Sequence, residues 1–79
     1  MSHSTGTPPP FTPEEIQADD ILRFFAYGHL PPHLQAHSKP WADFARHLID
    51  TLPRSPERTV ALRKLLEGKD AAVRASLPR

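Results

Sequence analysis

Leu52-Pro53-Arg54-Ser55-Pro56-Glu57 is the junction on which the fold of this 79-residue chain turns. Pro53 has no N–H to continue a helix. Ser55 is a favoured N-cap, Pro56 suits the first helical position, and Glu57 places an acid in the first turn. The stretch therefore ends one helix at Leu52 and starts the next at Pro56. So short a connection makes the two helices antiparallel neighbours. Upstream, Leu34, Trp41, Phe44, Ala45, Leu48 and Leu52 recur at three- and four-residue spacing. That period predicts a helix over 32–52 with these side chains in one buried stripe. Pro40 lies inside it, so the helix either kinks there or restarts with Ser38 as a cap. Downstream, Leu62, Leu65, Leu66, Ala72, Val73 and Leu77 mark a helix over 56–76.

Ahead of this pair, Thr12-Pro13-Glu14-Glu15 reads as a capped helix start with Glu15 in capping-box position. It predicts a first helix over 13–27, with a candidate break at Asp19-Asp20 and an apolar side of Ile16, Ile21, Phe24 and Phe25. Gly28 is placed to end it in the left-handed conformation. Residues 1–12, with Pro8, Pro9 and Pro10 in a row, read as a flexible or extended arm. No alternating β-branched run occurs, so the expected fold class is all-α: an antiparallel helical hairpin with an additional N-terminal helix, one domain over 13–79. So thin a chain buries little surface, and without cysteine no disulfide can staple it. Assembly into a homo-oligomer is the expected remedy.

The first ten residues lack the basic and apolar regions of a signal peptide, and no apolar run nears the roughly 20 residues that span a bilayer. The expectation is a cytoplasmic protein with no membrane partner. Net charge is +1, which argues against a general nucleic-acid polymer binder. The charge is unevenly spread: −4 over residues 1–22, +1 over 23–53 and +4 over 54–79. The basic last helix suits an acidic neighbour or a small anion.

No catalytic motif is present, so no catalytic residue is assigned and an enzyme is not expected. Ser38 and Ser55 read better as caps than as nucleophiles. The three glycines are isolated and make no phosphate loop. Of the five histidines, His33 and His37 share a helix face at i and i+4, but a zinc site wants three or four ligands. No metal site and no cofactor are assigned.

Two features point to binding. Lys69 interrupts the apolar stripe 62–66–69–73–77, with Arg74 at its edge. A lysine on such a seam is costly unless it snorkels, pairs with an acid or meets an anion. Tyr27-Gly28-His29 stands before the turn Leu30-Pro31-Pro32, where an aromatic either stacks on a nucleobase or covers the core.

Tyr27-Gly28-His29-Leu30-Pro31-Pro32, Gln35, Leu52-Pro53-Arg54-Ser55-Pro56-Glu57-Arg58 and Leu62-Arg63-Lys64-Leu65-Leu66-Glu67-Gly68-Lys69 together resemble the helical-hairpin domain of phage anti-defence sponges. These are the anti-CBASS cyclic-oligonucleotide sponge and the related anti-Thoeris sponge. The likeness covers about residues 25–76. It implies a phage product in a bacterial cytoplasm, a compact homo-oligomer (typically a hexamer), and capture of cyclic di- or trinucleotide messengers without cleavage. The family's Tyr-His pair falls on Tyr27 and His29, with Gly28 as an extra residue, and the basic residue of its last helix falls on Lys69. Its phosphate-binding lysine falls on Asp43, and Lys39, one turn earlier, replaces it. Its Asn-Ala-rich tail is replaced by Ala71-Ala72-Val73-Arg74, which favours a basic pocket from Lys69 and Arg74. The expected ligand-binding set is Tyr27, His29, Lys39, Lys69 and Arg74. Two other readings remain: a helical protein–protein interaction module such as a phage regulatory or assembly accessory, and a small DNA- or RNA-binding protein using the last helix.

Overall fold

The computed structural model describes residues 10–77, and these contain helices and no strand. Helix α1 spans Pro13–Ala18, a 3₁₀ helix spans Asp20–Phe25, α2 spans Pro32–Thr51 and α3 spans Pro56–Ala75.

The first helix, expected over 13–27 with a candidate break at Asp19-Asp20, is two pieces and ends earlier, at Phe25. Thr12 caps α1 as a full capping box: its hydroxyl accepts from the Glu15 N–H, and Glu15 accepts from the Thr12 N–H at 2.9 Å. The break falls at Asp19, whose backbone leaves the helical region (φ −134°, ψ 88°). Arg58 takes the Asp19 carboxylate at 2.6 Å, and Arg54 donates to the Ala18 carbonyl at 3.1 Å. Two arginines of the α2–α3 junction thus bond the end of α1, which a helix continuing through Asp19 would not offer them. The 3₁₀ helix ends at Phe25, and Ala26 is extended. Gly28 does not take the expected left-handed conformation, since no described glycine has positive φ. It sits instead in a turn closed by the Leu30 N–H donating to the Tyr27 carbonyl at 3.0 Å.

Residues 10–12 of the expected arm pack against the helices. Phe11 is a core residue, with the Arg46 guanidinium 5.1 Å from its ring centre. Arg46 also donates to the Pro10 carbonyl at 3.1 Å and to both Glu15 oxygens, at 2.6 and 2.7 Å. Residues 10–12 are therefore docked; residues 1–9 of the expected arm lie outside the described residues.

Helix α2 does not restart. Pro40 lies inside one helix, and Ser38, far from capping, is fully buried with its hydroxyl unpartnered. The buried stripe is also rotated from the expected one: Ser38, Ala42 and Ala45 face the core, while Phe44 is 51% exposed and stacks on His47. Small residues facing inward let neighbouring elements approach closely, so the large ones end up beside the contact. Trp41 is half-buried and packs on Gly68 of α3, where an added methyl group would come within 2.9 Å of its ring. At the other end, Ser55 caps α3 by accepting from the Arg58 N–H at 3.1 Å, and Arg58 donates to the Leu52 carbonyl at 3.0 Å. The core comprises Phe11, Leu22, Phe25, Tyr27, Ala42, Ala45 and Leu62. No described helix is long and apolar enough to cross a membrane.

Candidate functional site

The seam between the 3₁₀ helix and the C-terminal half of α3 is built around Lys69. Its stem runs across the apolar stripe, leaving the residue 9% exposed, and its ammonium donates to the Phe24 carbonyl at 2.6 Å. Phe24 is one of the last carbonyls of the 3₁₀ helix, and a helix end leaves such groups without intrahelical partners. A cation there is favoured both as a donor and by the local dipole. The cost expected of a lysine on this seam is therefore met within the chain. Asp70 Oδ1 lies 3.6 Å from the same ammonium.

Beside this contact is an open cavity of about 330 Å³. One wall is a single face of α3: Lys69, Asp70, Val73 and Arg74. The facing wall comes from the 3₁₀ helix and the following turn: Arg23, Phe24, Ala26, His29 and Leu30. Gln35 braces that turn, its side-chain amide donating to the Leu30 carbonyl at 2.7 Å and the Gly28 carbonyl at 3.4 Å, on either side of His29. Neither the Arg74 nor the His29 side chain makes a hydrogen bond or ion pair with another described residue, so both leave side-chain donors at the cavity. Arg23 reaches Asp20 at 3.5 Å and lies 5.0 Å from the half-exposed Phe24 ring. Three cations, one carboxylate, one imidazole and an apolar floor suit an anion that carries a flat apolar group.

Of the expected binding residues, the structure brings His29, Lys69 and Arg74 to this cavity. Tyr27 is not exposed for stacking: it is 7% exposed and packs in the core. Lys39 does not join the cavity, because it pairs with Asp43 one turn along the outer face of α2 at 2.8 Å. That carboxylate, by hydrogen bond first and by charge second, holds the ammonium above the usual lysine range. Arg23, Phe24 and Asp70 complete the site, although nothing in the sequence marks them as binding residues. No periodic signal distinguishes them, since their place depends on how the 3₁₀ helix lies against α3.

A second open cavity of about 410 Å³ borders the first at Phe24 and lies between the 3₁₀ helix and the start of α3, with Asp20, Arg54 and Arg63 on its walls. No group of three or more metal-ligating side chains occurs among the described residues. No family model, curated protein or solved structure matches this chain.

Proposed function

We propose that this protein is a non-catalytic sponge: a phage product that binds cyclic oligonucleotide immune messengers in the bacterial cytoplasm and sequesters them intact. The observation that carries the reading is the convergence of the His29 and Arg74 side chains, neither partnered among the described residues, on one basic cavity with an apolar floor. Arg74 and Arg23 serve the phosphates through charge-assisted hydrogen bonds. Phe24, Val73 and Leu30 offer surface to a base. Lys69 supplies positive charge from the seam while holding the 3₁₀ helix in place.

The size of the cavity supports an assembled protein. At about 330 Å³ it sits at the small end of ligand pockets, which run roughly 300–1,000 Å³. It has room for part of a cyclic di- or trinucleotide, and in this reading the rest is held by another copy. The assembled unit is an antiparallel hairpin of α2 and α3, repeated in a homo-oligomer that the family resemblance puts at six copies.

Calorimetric titration of the purified oligomer with a panel of cyclic di- and trinucleotides tests this. The expected result is saturable binding to at least one, its loss in Arg74→Ala and His29→Ala, and recovery of the ligand unchanged after incubation. Absence of heat with every member of the panel removes the reading.

A second reading, a helical protein–protein interaction module, is favoured by Phe44. A phenylalanine half in water on the outer face of α2, stacked on His47, is of the aromatic class enriched at protein interfaces. Capture of one stoichiometric host protein by wild type, lost in Phe44→Ala, together with no nucleotide binding, would favour this reading.

A further inference from the structure

Asp70 is out of place in a pocket built for phosphate. A carboxylate repels phosphate, yet Asp70 lines the cavity with its side chain 47% exposed. It sits four residues before Arg74, the spacing at which an acid and a base on a helix meet. The two do not pair: the Arg74 side chain has no described partner, and the Asp70 carboxylate has among the described residues only the Lys69 ammonium, at 3.6 Å, beyond hydrogen-bond length. The α3 face is thus divided. At Arg74 it offers donors and positive charge; one turn earlier, at Asp70, it offers two acceptor oxygens and no donor. Between them lies Val73, with Ala26 and Leu30 opposite.

A ligand that satisfies both ends carries its anion toward Arg74 and a pair of adjacent N–H donors toward Asp70, with a flat ring over the apolar floor. Among the bases, guanine presents such a pair: its ring N1–H and its exocyclic N2 amine lie side by side and match the two oxygens of one carboxylate. Adenine offers on the same edge one amine and one bare ring nitrogen, whose lone pair would face the carboxylate. Cytosine likewise offers one amine beside acceptors. A base without the donor pair leaves the carboxylate with repulsion in place of a hydrogen bond, which is a strong ground for rejection.

Resting on the sponge reading, we propose that Asp70 is a specificity-determining residue that selects ligands bearing guanine, by accepting from N1–H and the N2 amine while Arg74 holds the phosphate. Lys69, bonded to Phe24, fixes the helix turn from which Asp70 projects and shares its charge without spending both oxygens.

The test compares cyclic dinucleotides carrying two guanines, two hypoxanthines or two adenines on the wild-type oligomer and on Asp70→Asn. Wild type is expected to bind the guanine ligand about tenfold or more tighter than the adenine ligand, the discrimination usual for a bidentate base contact. The hypoxanthine ligand, which keeps N1–H and lacks the N2 amine, falls between them. Asp70→Asn, of the same shape, presents one acceptor and one donor; it loses the guanine preference and gains affinity for adenine. Equal wild-type affinity for guanine and adenine overturns the assignment while leaving the sponge reading intact. So does a guanine preference that survives in Asp70→Asn. Failure of all three ligands while another member of the panel binds overturns the guanine assignment alone, and failure of the whole panel overturns both. Because the wild-type comparison needs no variant, a folding defect in Asp70→Asn does not spare the proposal.

Discussion

Lys69 donates to the carbonyl of Phe24, 45 residues away in sequence, at 2.6 Å, and so ties the C-terminal half of α3 to the end of the 3₁₀ helix. This contact separates two residues that the sequence groups as one basic pair. Lys69 is built into the seam, whereas the Arg74 side chain lines the cavity with no described partner. Lys69→Met keeps an apolar stem and removes the donor. It should cost about 1.5–3 kcal/mol, the range for a hydrogen bond to a charged group. Arg74→Ala should stay within about 0.5 kcal/mol of wild type. Urea denaturation of the two variants checks the contrast; equal stabilities would mean that the Lys69 bond does not form in solution.

Arg58 and Asp19 form the most enclosed ion pair among the described residues, 2.6 Å apart with side chains 7% and 13% exposed. Arg58 also bonds the Leu52 carbonyl, so it joins α1, α2 and α3 at one point. Removing one partner leaves a buried charge alone, which costs roughly 3–5 kcal/mol. Arg58→Ala should therefore lower the thermal midpoint far more than Lys39→Ala, which breaks a solvent-exposed pair that water and salt screen. Circular dichroism melts of both variants decide it.

Glu15 links acid stability to the docked N-terminal stretch. The Arg46 hydrogen bond, and after it the Thr12 N–H, pull its carboxyl from 4.5 down to about 2. A carboxylate depressed in the folded state adds stability that is whole above its unfolded pKa and is lost as pH falls through the folded one. The Glu15 contribution should thus be complete above about pH 4.5 and vanish by about pH 2. Glu15→Gln, which still accepts from the Thr12 N–H, should flatten the pH dependence of the urea midpoint in that window. A profile as steep as wild type would show that other carboxylates control it.

Gly68 and Trp41 are fitted to each other. An added methyl at position 68 would stand 2.9 Å from Cζ3 and 3.1 Å from Cη2 of the indole, both on its benzo ring. Gly68→Ala gains about 1 kcal/mol of helix propensity and incurs about 1–3 kcal/mol of overpacking. The net expectation is a small loss of stability with a shift in tryptophan emission. Trp41→Phe removes the benzo ring, so in that background Gly68→Ala should become stabilising. The sign change in a double-mutant cycle measures the fit; additive effects would refute it.

What the sequence determined was local. Thr12, Pro13 and Glu15 started α1; Ser55, Pro56 and Glu57 started α3; Pro32 and Leu52 bounded α2 to within a residue. Caps and prolines act on their own turn of backbone, so their effect is legible without a partner. The odd placement of Lys69 was legible too, as a charge inside an apolar period.

What only the tertiary structure decided was how those elements met. Asp19 broke the first helix because Arg54 and Arg58 arrive there from more than 30 residues away. Periodicity put Phe44 in the core, yet Ser38, Ala42 and Ala45 took the inner face of α2. Tyr27 went into the core, Lys39 to the outer surface with Asp43, and Arg23 and Asp70 into a cavity that no sequence spacing describes. A hydrophobic period shows that a helix has an inside; which residues occupy it, and which charges are left facing a cavity, depends on the size and approach of the neighbouring element.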